Sequence, residues 1–282
     1  MACLVLNPEQ EKYFDYTSVE ISDAEYTAYQ NLVYEVAGIS LKEKKKPLLT
    51  GRLSKRLRYH RIRNYTDYLQ LVKNNKQELQ MMIDLISTNE TSFFREEKHF
   101  DFLANYVRNL DPRRGPFRIW SAACSSGMEA YTTAMVMAES GVKFPWEILG
   151  TDISTRILEK ATQALYPLDA ANRIPQNYLK KYCRKGVRDM SGYMLIDKAL
   201  RAKTTFRYMN LNEQPWPDVG LFDVIFLRNV MIYFDKPTKQ RLISNIVQRL
   251  KSDGYLFVGH SENLLGIPVN LKTIQPSVYR KI

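Results

Sequence analysis

The stretch from Phe117 to Asp152 constrains the fold of this 282-residue chain more than any other. An apolar run (FRIWSAA) leads through a turn of small residues (CSSG) into an Ala- and Met-rich segment, and a second apolar run (WEILG) is followed by Asp152. Open α/β sheets hold adenosine-type cofactors with such a strand, turn and helix and an acid at the tip of the next strand. The turn has one glycine and no G-x-G-x-x-G fingerprint, so a purely structural βαβ unit fits equally well.

Strands and helices continue to alternate after this stretch. Apolar runs at 224–227 and 255–258 flank an amphipathic segment at 238–250, which predicts an α/β fold with a mostly parallel, Rossmann-like sheet and right-handed crossovers. Two late β-prone pieces, 271–274 and 277–281, predict an antiparallel edge hairpin. Residues 166–208 break the alternation, and we predict an inserted β-subdomain at about 184–208.

The first 95 residues predict a small helical domain. Ser22 and Glu25 form a capping-box pattern and Gly38 suits a helix C-terminus, so we place a helix at 23–37. Leucines that recur every four residues predict another helix around 49–57, and we place two more from a Thr66 cap to Val72 and over 76–86. Residues 1–18 are interpreted as a loose leader, 96–115 as a linker helix and 116–282 as the sheet domain.

Positive charge is concentrated in one segment of the helical domain. Between Leu41 and Arg63 the chain has ten basic residues and one acid, which accounts for most of the net charge of +11. Such a patch favours an acidic partner, although a merely solvated face is an open alternative. A nucleic-acid backbone is a second alternative. We expect no nucleic-acid partner, because Tyr59 is the one interleaved aromatic residue and no known nucleic-acid motif accompanies the patch.

Composition argues against several other classes. No apolar run is long enough to span a bilayer, and the start of the chain has no secretory signal, so we expect a cytoplasmic protein without membrane insertion. Three distant cysteines indicate reduced thiols, and without a C-x-x-C pair we predict no metal site. The three histidines, His60, His99 and His260, are far apart along the chain, and their spacing indicates neither a catalytic triad nor a metal centre.

The segment NETSFFR, residues 89–95, lies between two predicted helices. One interpretation is a helix cap followed by a hydrophobic staple. The other is a lid, in which Asn89 and Thr91 supply hydrogen bonds and Arg95 presents its guanidinium fork to a carboxylate.

Polar residues also follow predicted strands. Asn210 and Leu211 follow one β-prone run, Arg228 and Asn229 follow FDVIFL, and GHSEN follows YLFV at 255–258. The carboxyl ends of parallel strands face the ligand crevice of an open sheet, so these residues are candidate site residues. The alternative for the Asn210 segment is a simple turn.

The order of NETSFFRE, IWSAACSSGMEAY, ILGTDIS, NLN, FDVIFLRNVMIYF and LFVGHSENL resembles the bacterial chemotaxis receptor glutamate methyltransferase family. The resemblance covers nearly the whole chain. It implies methyl transfer from S-adenosylmethionine to glutamate side chains of chemoreceptors, with S-adenosylhomocysteine as the product. It also implies a partner, the chemoreceptor cytoplasmic helical bundle, and for some members a receptor C-terminal tail at the β-subdomain. We expect a monomer.

The resemblance further implies roles for individual residues. Arg95 and Tyr233 are the catalytic candidates, and our hypothesis is that Arg95 holds the acceptor carboxylate while Tyr233 orients it. Asp152 is expected to grip the ribose hydroxyls. The cofactor-binding set is Asn89, Thr91, Arg95, Ala123, Glu129, Asp152, Asn210, Leu211, Arg228 and Asn229, and the receptor-docking set is Arg52, Lys55, Arg56 and Arg63.

One departure from the family concerns the turn. The family usually has Gly-Glu-Glu-Pro-Tyr there, whereas this chain has Gly-Met-Glu-Ala-Tyr at 127–131, which puts the cofactor affinity in question. A glutamate acceptor is already ionised near neutral pH, so no general base is required. The open alternatives are a relative that acts on a non-chemotaxis signalling receptor and a non-catalytic, cofactor-binding regulator.

Overall fold

The structure is a computed structural model that describes residues 14–282, and the chain separates into two units between Thr88 and Asn89. Most of the predicted leader lies outside the described residues. The boundary falls earlier than the predicted 95 because the NETSFFR segment bonds to the sheet unit. The amide of Phe94 donates to Oγ1 of Thr132 at 3.2 Å, and the Ser125 hydroxyl donates to the Asn89 carbonyl at 2.8 Å.

The first unit is helical, as predicted. Its helices are α1 (Asp23–Ala37), α2 (Lys46–His60), α3 (Tyr65–Asn74) and α4 (Lys76–Ile86), and a 3₁₀ turn at Glu43–Lys45 precedes α2. The leucine stripe of α2 is fully buried, with Leu49, Leu53 and Leu57 at 0% exposure. Burial of that stripe supplies the hydrophobic stabilisation that joins α2 to the rest of this unit.

Local capping explains where these helices begin. The Ser22 amide donates to Oε2 of Glu25 at 2.9 Å and the Glu25 amide to Oγ of Ser22 at 3.2 Å, which confirms the predicted capping box and helix. The predicted cap at Thr66 is wrong. Asn64 caps α3 by accepting from the Asp67 amide at 2.7 Å, while the Thr66 hydroxyl donates to Glu25 at 2.7 Å.

The second unit is built on a seven-stranded sheet in the order β6-β2-β1-β7-β8-β10-β9. The five strands from β6 to β8 pair in parallel, and β10 and β9 add the predicted antiparallel edge hairpin. The strands are β1 (Phe117–Ala122), β2 (Trp146–Asp152), β6 (Thr204–Tyr208), β7 (Phe222–Leu227), β8 (Leu250–Val258), β9 (Leu271–Gln275) and β10 (Val278–Lys281).

The helices of this unit lie before and between the strands along the chain. They are α5 (Lys98–Arg108), α6 (Met128–Glu139), α7 (Thr155–Gln163), α8 (Gln176–Tyr182), α9 (Lys198–Arg201) and α10 (Lys236–Gln248). Every residue of β7 is buried, as expected for a central parallel strand covered on both faces. Within residues 14–282, no helix has both the length and the apolar composition that a membrane span requires.

The inserted β-subdomain differs from the prediction at both ends. It is a three-stranded antiparallel sheet in the order β3-β5-β4, formed by Leu165–Pro167, Tyr193–Ile196 and Cys183–Lys185. Residues 204–208 pair with β2 and therefore belong to the main sheet. Helix α7 ends at Gln163 because Ala164 turns the chain with φ +54°, and β3 begins at the next residue.

Candidate cofactor and active site

The carboxyl ends of β1, β2 and β7 form the candidate site. Strand β1 lies between β2 and β7 and pairs in parallel with both. The strand order therefore reverses at β1, and open α/β sheets bind ligands in the crevice at such a switch point. The turn 123–127 directly follows β1, the Arg228-Asn229 pair directly follows β7, and Asp152 is the last residue of β2. The predicted strand-tip residues therefore lie at one edge of the sheet.

Asp152 holds the turn that follows β1. Its buried carboxylate accepts from the Ser125 amide at 2.8 Å and from the Ser154 amide at 2.9 Å. Ala123 and Ser125 adopt positive φ of 64° and 51°, which are uncommon for residues with a Cβ. The charge-assisted bond to Asp152 helps to hold this turn, and its carboxylate stands where an α/β sheet presents an acid to a ribose.

The glycine of the turn has a packing reason. Gly127 has φ +81°, and a Cβ there would lie 2.8 Å from Cβ of Ala161 and 2.9 Å from Cζ of Phe206. Any larger residue would therefore clash while also adopting a strained backbone. The adjacent Met128, where the resembling family has an acid, is the first residue of α6.

Arg228 joins three segments of the site. Its guanidinium, 2% exposed, donates to Glu129 and to Glu96, each at 2.9 Å, and also to the carbonyl of Arg95. Glu129 accepts a further bond from the Ser121 hydroxyl at 2.7 Å. Burial alone would raise the pKa of Glu96, but the Arg228 charge and the hydrogen bonds hold it below its ordinary value, so this carboxylate is ionised at neutral pH.

Glu262 fixes the loop that follows β7. Its buried carboxylate accepts from the amides of Asn229 and Gly259, both at 2.8 Å, and of Ile232 at 3.3 Å. Burial raises its pKa, against the lowering effect of these amides. The polar GHSEN residues after β8 predict a candidate site loop, but that prediction assigns no role to Glu262. The available signal was the position of this acid, two residues after His260, the first polar side chain beyond the strand.

The remaining predicted residues lie along the same loops. Arg95 is half-buried and its Nη1 donates to the Glu90 carbonyl at 3.0 Å. Asn210 is buried, and its Oδ1 accepts from the Asn212 amide at 3.0 Å. Thr91 and Leu211 are half-buried, and the half-buried Tyr233 ends a single 3₁₀ turn, Met231–Tyr233, after Asn229.

Two histidines that were predicted to be scattered meet at this edge. The ring centroids of His99 and His260 lie 5.1 Å apart, and Nδ1 of His99 lies 3.5 Å from Oε2 of Glu96. Burial lowers the pKa of His99 to about 4, so the ring is neutral at pH 7. The sequence did not predict this contact, because His99 is the second residue of α5 whereas His260 follows β8, more than 150 residues later.

Two of the four proposed docking residues of the basic segment 41–63 are hydrogen-bonded within the helical unit. Arg52 donates to the Ile86 carbonyl at 2.6 Å, at the end of α4. Arg56 forms two bonds to the buried carboxylate of Glu78, at 2.8 and 2.6 Å. Arg63 lies over the Phe14 ring at 4.9 Å, and Lys55 is exposed.

The residues of the site fit a nucleoside cofactor with a cationic sulfur. Asp152 offers a carboxylate at the strand tip, and Glu96 and Glu129 share the single guanidinium of Arg228. These three carboxylates outnumber the guanidinium groups of Arg228 and Arg95, and the excess negative charge suits a sulfonium. Cys124 lies in the turn, but burial raises the pKa of its thiol well above the usual value, so it is no thiolate nucleophile at neutral pH.

Comparisons with known proteins agree with this arrangement. The profile described as "CheR methyltransferase, SAM binding domain" matches residues 89–280, and "CheR methyltransferase, all-alpha domain" matches 24–87. A chemotaxis protein methyltransferase of Borreliella burgdorferi is 39% identical and covers 98% of this chain and 100% of its own. Chemotaxis protein methyltransferase 2 of Pseudomonas aeruginosa is 39% identical over 88% of this chain and 89% of its own. The chemotaxis protein methyltransferase of Escherichia coli is 38% identical over 86% of this chain and 85% of its own.

Proposed function

This chain belongs to the CheR methyltransferase family, whose members use S-adenosylmethionine in chemotaxis, and on that premise we propose that it methylates glutamate side chains of chemoreceptor cytoplasmic helices. The products are glutamyl methyl esters and S-adenosylhomocysteine. The methylation serves chemotactic adaptation.

The observation that carries this proposal is the position of the Asp152 carboxylate. It accepts a hydrogen bond from the Ser125 amide in the turn after β1, at the point where the strand order reverses. A carboxylate there supports hydrogen bonding to the two ribose hydroxyls, and the buried amide of Asn210 at the neighbouring strand end supports recognition of the adenine edge. When bound, S-adenosylmethionine supplies an electrophilic methyl group on its sulfonium. Arg228 donates to Glu129 and to the Arg95 carbonyl, so it links the helix after the turn to the segment that carries Arg95.

The acceptor chemistry follows from the charges of the chain's own groups. A glutamate side chain is ionised at neutral pH with a pKa of about 4.3, so its carboxylate can attack without a base. Arg95 lies in the segment that Ser125 and Arg228 tie to the crevice. We therefore keep Arg95 as the residue that holds the acceptor carboxylate by its guanidinium fork, and Tyr233 as the residue that orients it.

Receptor docking is assigned to the basic segment 41–63. Its positive charge complements an acidic helical bundle and would favour encounter. Since Arg52 and Arg56 are bonded within the helical unit, exposed Lys55 and the half-buried Arg63 are the better candidates for direct contact. A receptor tail would add to an edge strand of the β3-β5-β4 sheet, beside the exposed Val187 and Tyr193.

The test is methyl transfer from labelled S-adenosylmethionine to purified receptor, scored as base-labile label. Arg95→Ala should lower turnover by at least about 100-fold, as expected when one preorganised charge is removed from an active site, while cofactor binding remains measurable by calorimetry. Arg113→Ala, at an exposed arginine of the same unit, is the matched control. Near-normal turnover of Arg95→Ala would contradict the proposal that Arg95 holds the acceptor carboxylate. If the label that the wild-type protein transfers to receptor is stable to base, glutamyl ester formation is excluded.

A further inference from the structure

Glu96, His99 and His260 form a cluster beside the site that the proposed function does not use. One ligand-type atom from each residue, two imidazole nitrogens and a carboxylate oxygen, lies within 4.8 Å of the others. Glu96 and His99 are separated by one helical turn at the start of α5, and His260 follows β8. The distance between Nδ1 of His99 and Oε2 of Glu96 is 3.5 Å, and His260 is exposed to solvent.

His99 is the independent observation that points to a ligand. Its ring is 1% exposed, yet neither ring nitrogen has a hydrogen-bond partner among residues 14–282. The 3.5 Å from Nδ1 to Glu96 exceeds the usual range for such a bond. Burial of a polar group without a hydrogen-bond partner is unfavourable. A metal ion would satisfy one of these nitrogens.

The charges around the cluster permit a cation. Arg228 is the one positive group bonded to Glu96 in the described chain, and it shares its charge with Glu129. Two carboxylates therefore face one guanidinium. The second oxygen of Glu96, Oε1, is held at the long distances of 3.2 Å by the His260 amide and 3.3 Å by the Asn229 amide group, so an ion competes with weak bonds there.

We propose that Glu96, His99 and His260 bind a divalent transition metal of the zinc type. Two imidazoles and one carboxylate are a donor set that zinc accepts with a fourth position open to water. Exposed His260 provides the entry from solvent, and imidazole ligands favour zinc, copper or nickel over magnesium and calcium.

Occupation of this cluster regulates the neighbouring site. Glu96 is shared between the metal and Arg228, so a bound ion draws the carboxylate away from the guanidinium that also contacts Glu129 and the Arg95 carbonyl. Metal binding therefore inhibits methyl transfer. This inhibitory role rests on the proposed function, whereas the metal site itself does not.

Zinc chloride titrated into the metal-free full chain by calorimetry tests the site. We expect one equivalent to bind. His260→Ala should weaken that binding by more than about 100-fold, since loss of a direct ligand should exceed the effect of a supporting residue. Ser261→Ala, at the exposed neighbouring position, should bind as the wild type does. X-ray absorption of the zinc-loaded protein should show two imidazole ligands and no sulfur.

Activity with and without zinc tests the regulatory part. Zinc should lower wild-type turnover by about tenfold, the lower range for disturbing a supporting contact, and should not change the turnover of His260→Ala relative to its own metal-free value. Absence of zinc binding, or equal affinity in His260→Ala, overturns the site. A chain that binds zinc at His260 but transfers no methyl group to receptor without metal refutes the proposed function alone.

Discussion

Each unit of the molecule contains a cluster in which an arginine is bonded to glutamate carboxylates, and the two clusters have different roles. In the helical unit Arg56 meets Glu78, with Tyr68 and His60 bonded to the same carboxylate at 2.7 and 2.9 Å. In the sheet unit Arg228 meets Glu96 and Glu129. The chemistry of the two pairs is the same.

The elements that carry the groups are what differ. The Arg56 cluster is supplied by α2, α3 and α4, so it ties helices together. The Arg228 cluster brings together the loop after β7, the turn before α5 and the first turn of α6, and Glu96 and Asn229 have positive φ of 61° and 57°. Loop residues at the carboxyl edge of a parallel sheet can reach a ligand, whereas residues between packed helices cannot. An arginine in a basic segment therefore need not be a docking residue.

The largest expected effect is at Arg228. Arg228→Met removes the cation and leaves two carboxylates facing each other, so the free energy of unfolding should fall by about 3–5 kcal/mol, and methyl transfer should fall with the lost geometry around Arg95. Denaturant unfolding and the receptor assay measure the two effects. Arg249→Met breaks a pair between a half-buried arginine and the exposed Asp218 and should cost at most about 1 kcal/mol. Equal losses in both variants would contradict the central role of Arg228.

A smaller loss, confined to the helical unit, is expected at Glu78. Burial alone would raise its pKa, but bonds from Arg56, Tyr68 and His60 lower it to about 2. Glu78→Gln should therefore reduce the protection of α4 amides against hydrogen exchange at pH 7, by about 3 kcal/mol, with cofactor binding unchanged. Glu20→Gln, at an exposed carboxylate, is the control.

The same pair gives a pH dependence. A carboxylate whose folded pKa lies below its unfolded value stabilises above the unfolded pKa, and that stabilisation is lost as pH falls toward the folded value. The difference between wild type and Glu78→Gln should thus be constant from pH 7 to 5 and shrink between pH 4.5 and about 2. A difference that persists undiminished at pH 2.5 would show that Glu78 stabilises through shape and not charge.

The smallest effect is expected at the surface of α2. Lys55→Glu should leave stability within about 0.5 kcal/mol of wild type because the side chain is exposed. It should raise the KM for receptor by about tenfold at low salt, with less effect at high salt. Lys73→Glu makes the same charge change at an exposed position of α3 outside the basic segment. Identical KM values in the two variants would refute docking through Lys55.

The sequence by itself determined the well-capped helices, the central strands of the main sheet and the sheet edge where the polar strand tips meet. The helices at 23–37 and 76–86 match their predicted bounds because caps and apolar periodicity are local properties. Asp152, Arg228 and Asn229 could be placed together because parallel strands bring their carboxyl ends to one edge. The order of the sequence motifs along the chain identified the family that the protein resembles.

Only the tertiary structure decided which side chains bond to which. Arg56 turns to Glu78, Glu262 ties two loops together, and His99 meets His260 across more than 150 residues of chain. The same holds for residues 204–208, which joined the main sheet and not the insertion. Periodicity and propensity report which face of an element is buried, but the partner across a long chain separation depends on how the elements pack, and that information exists only in three dimensions.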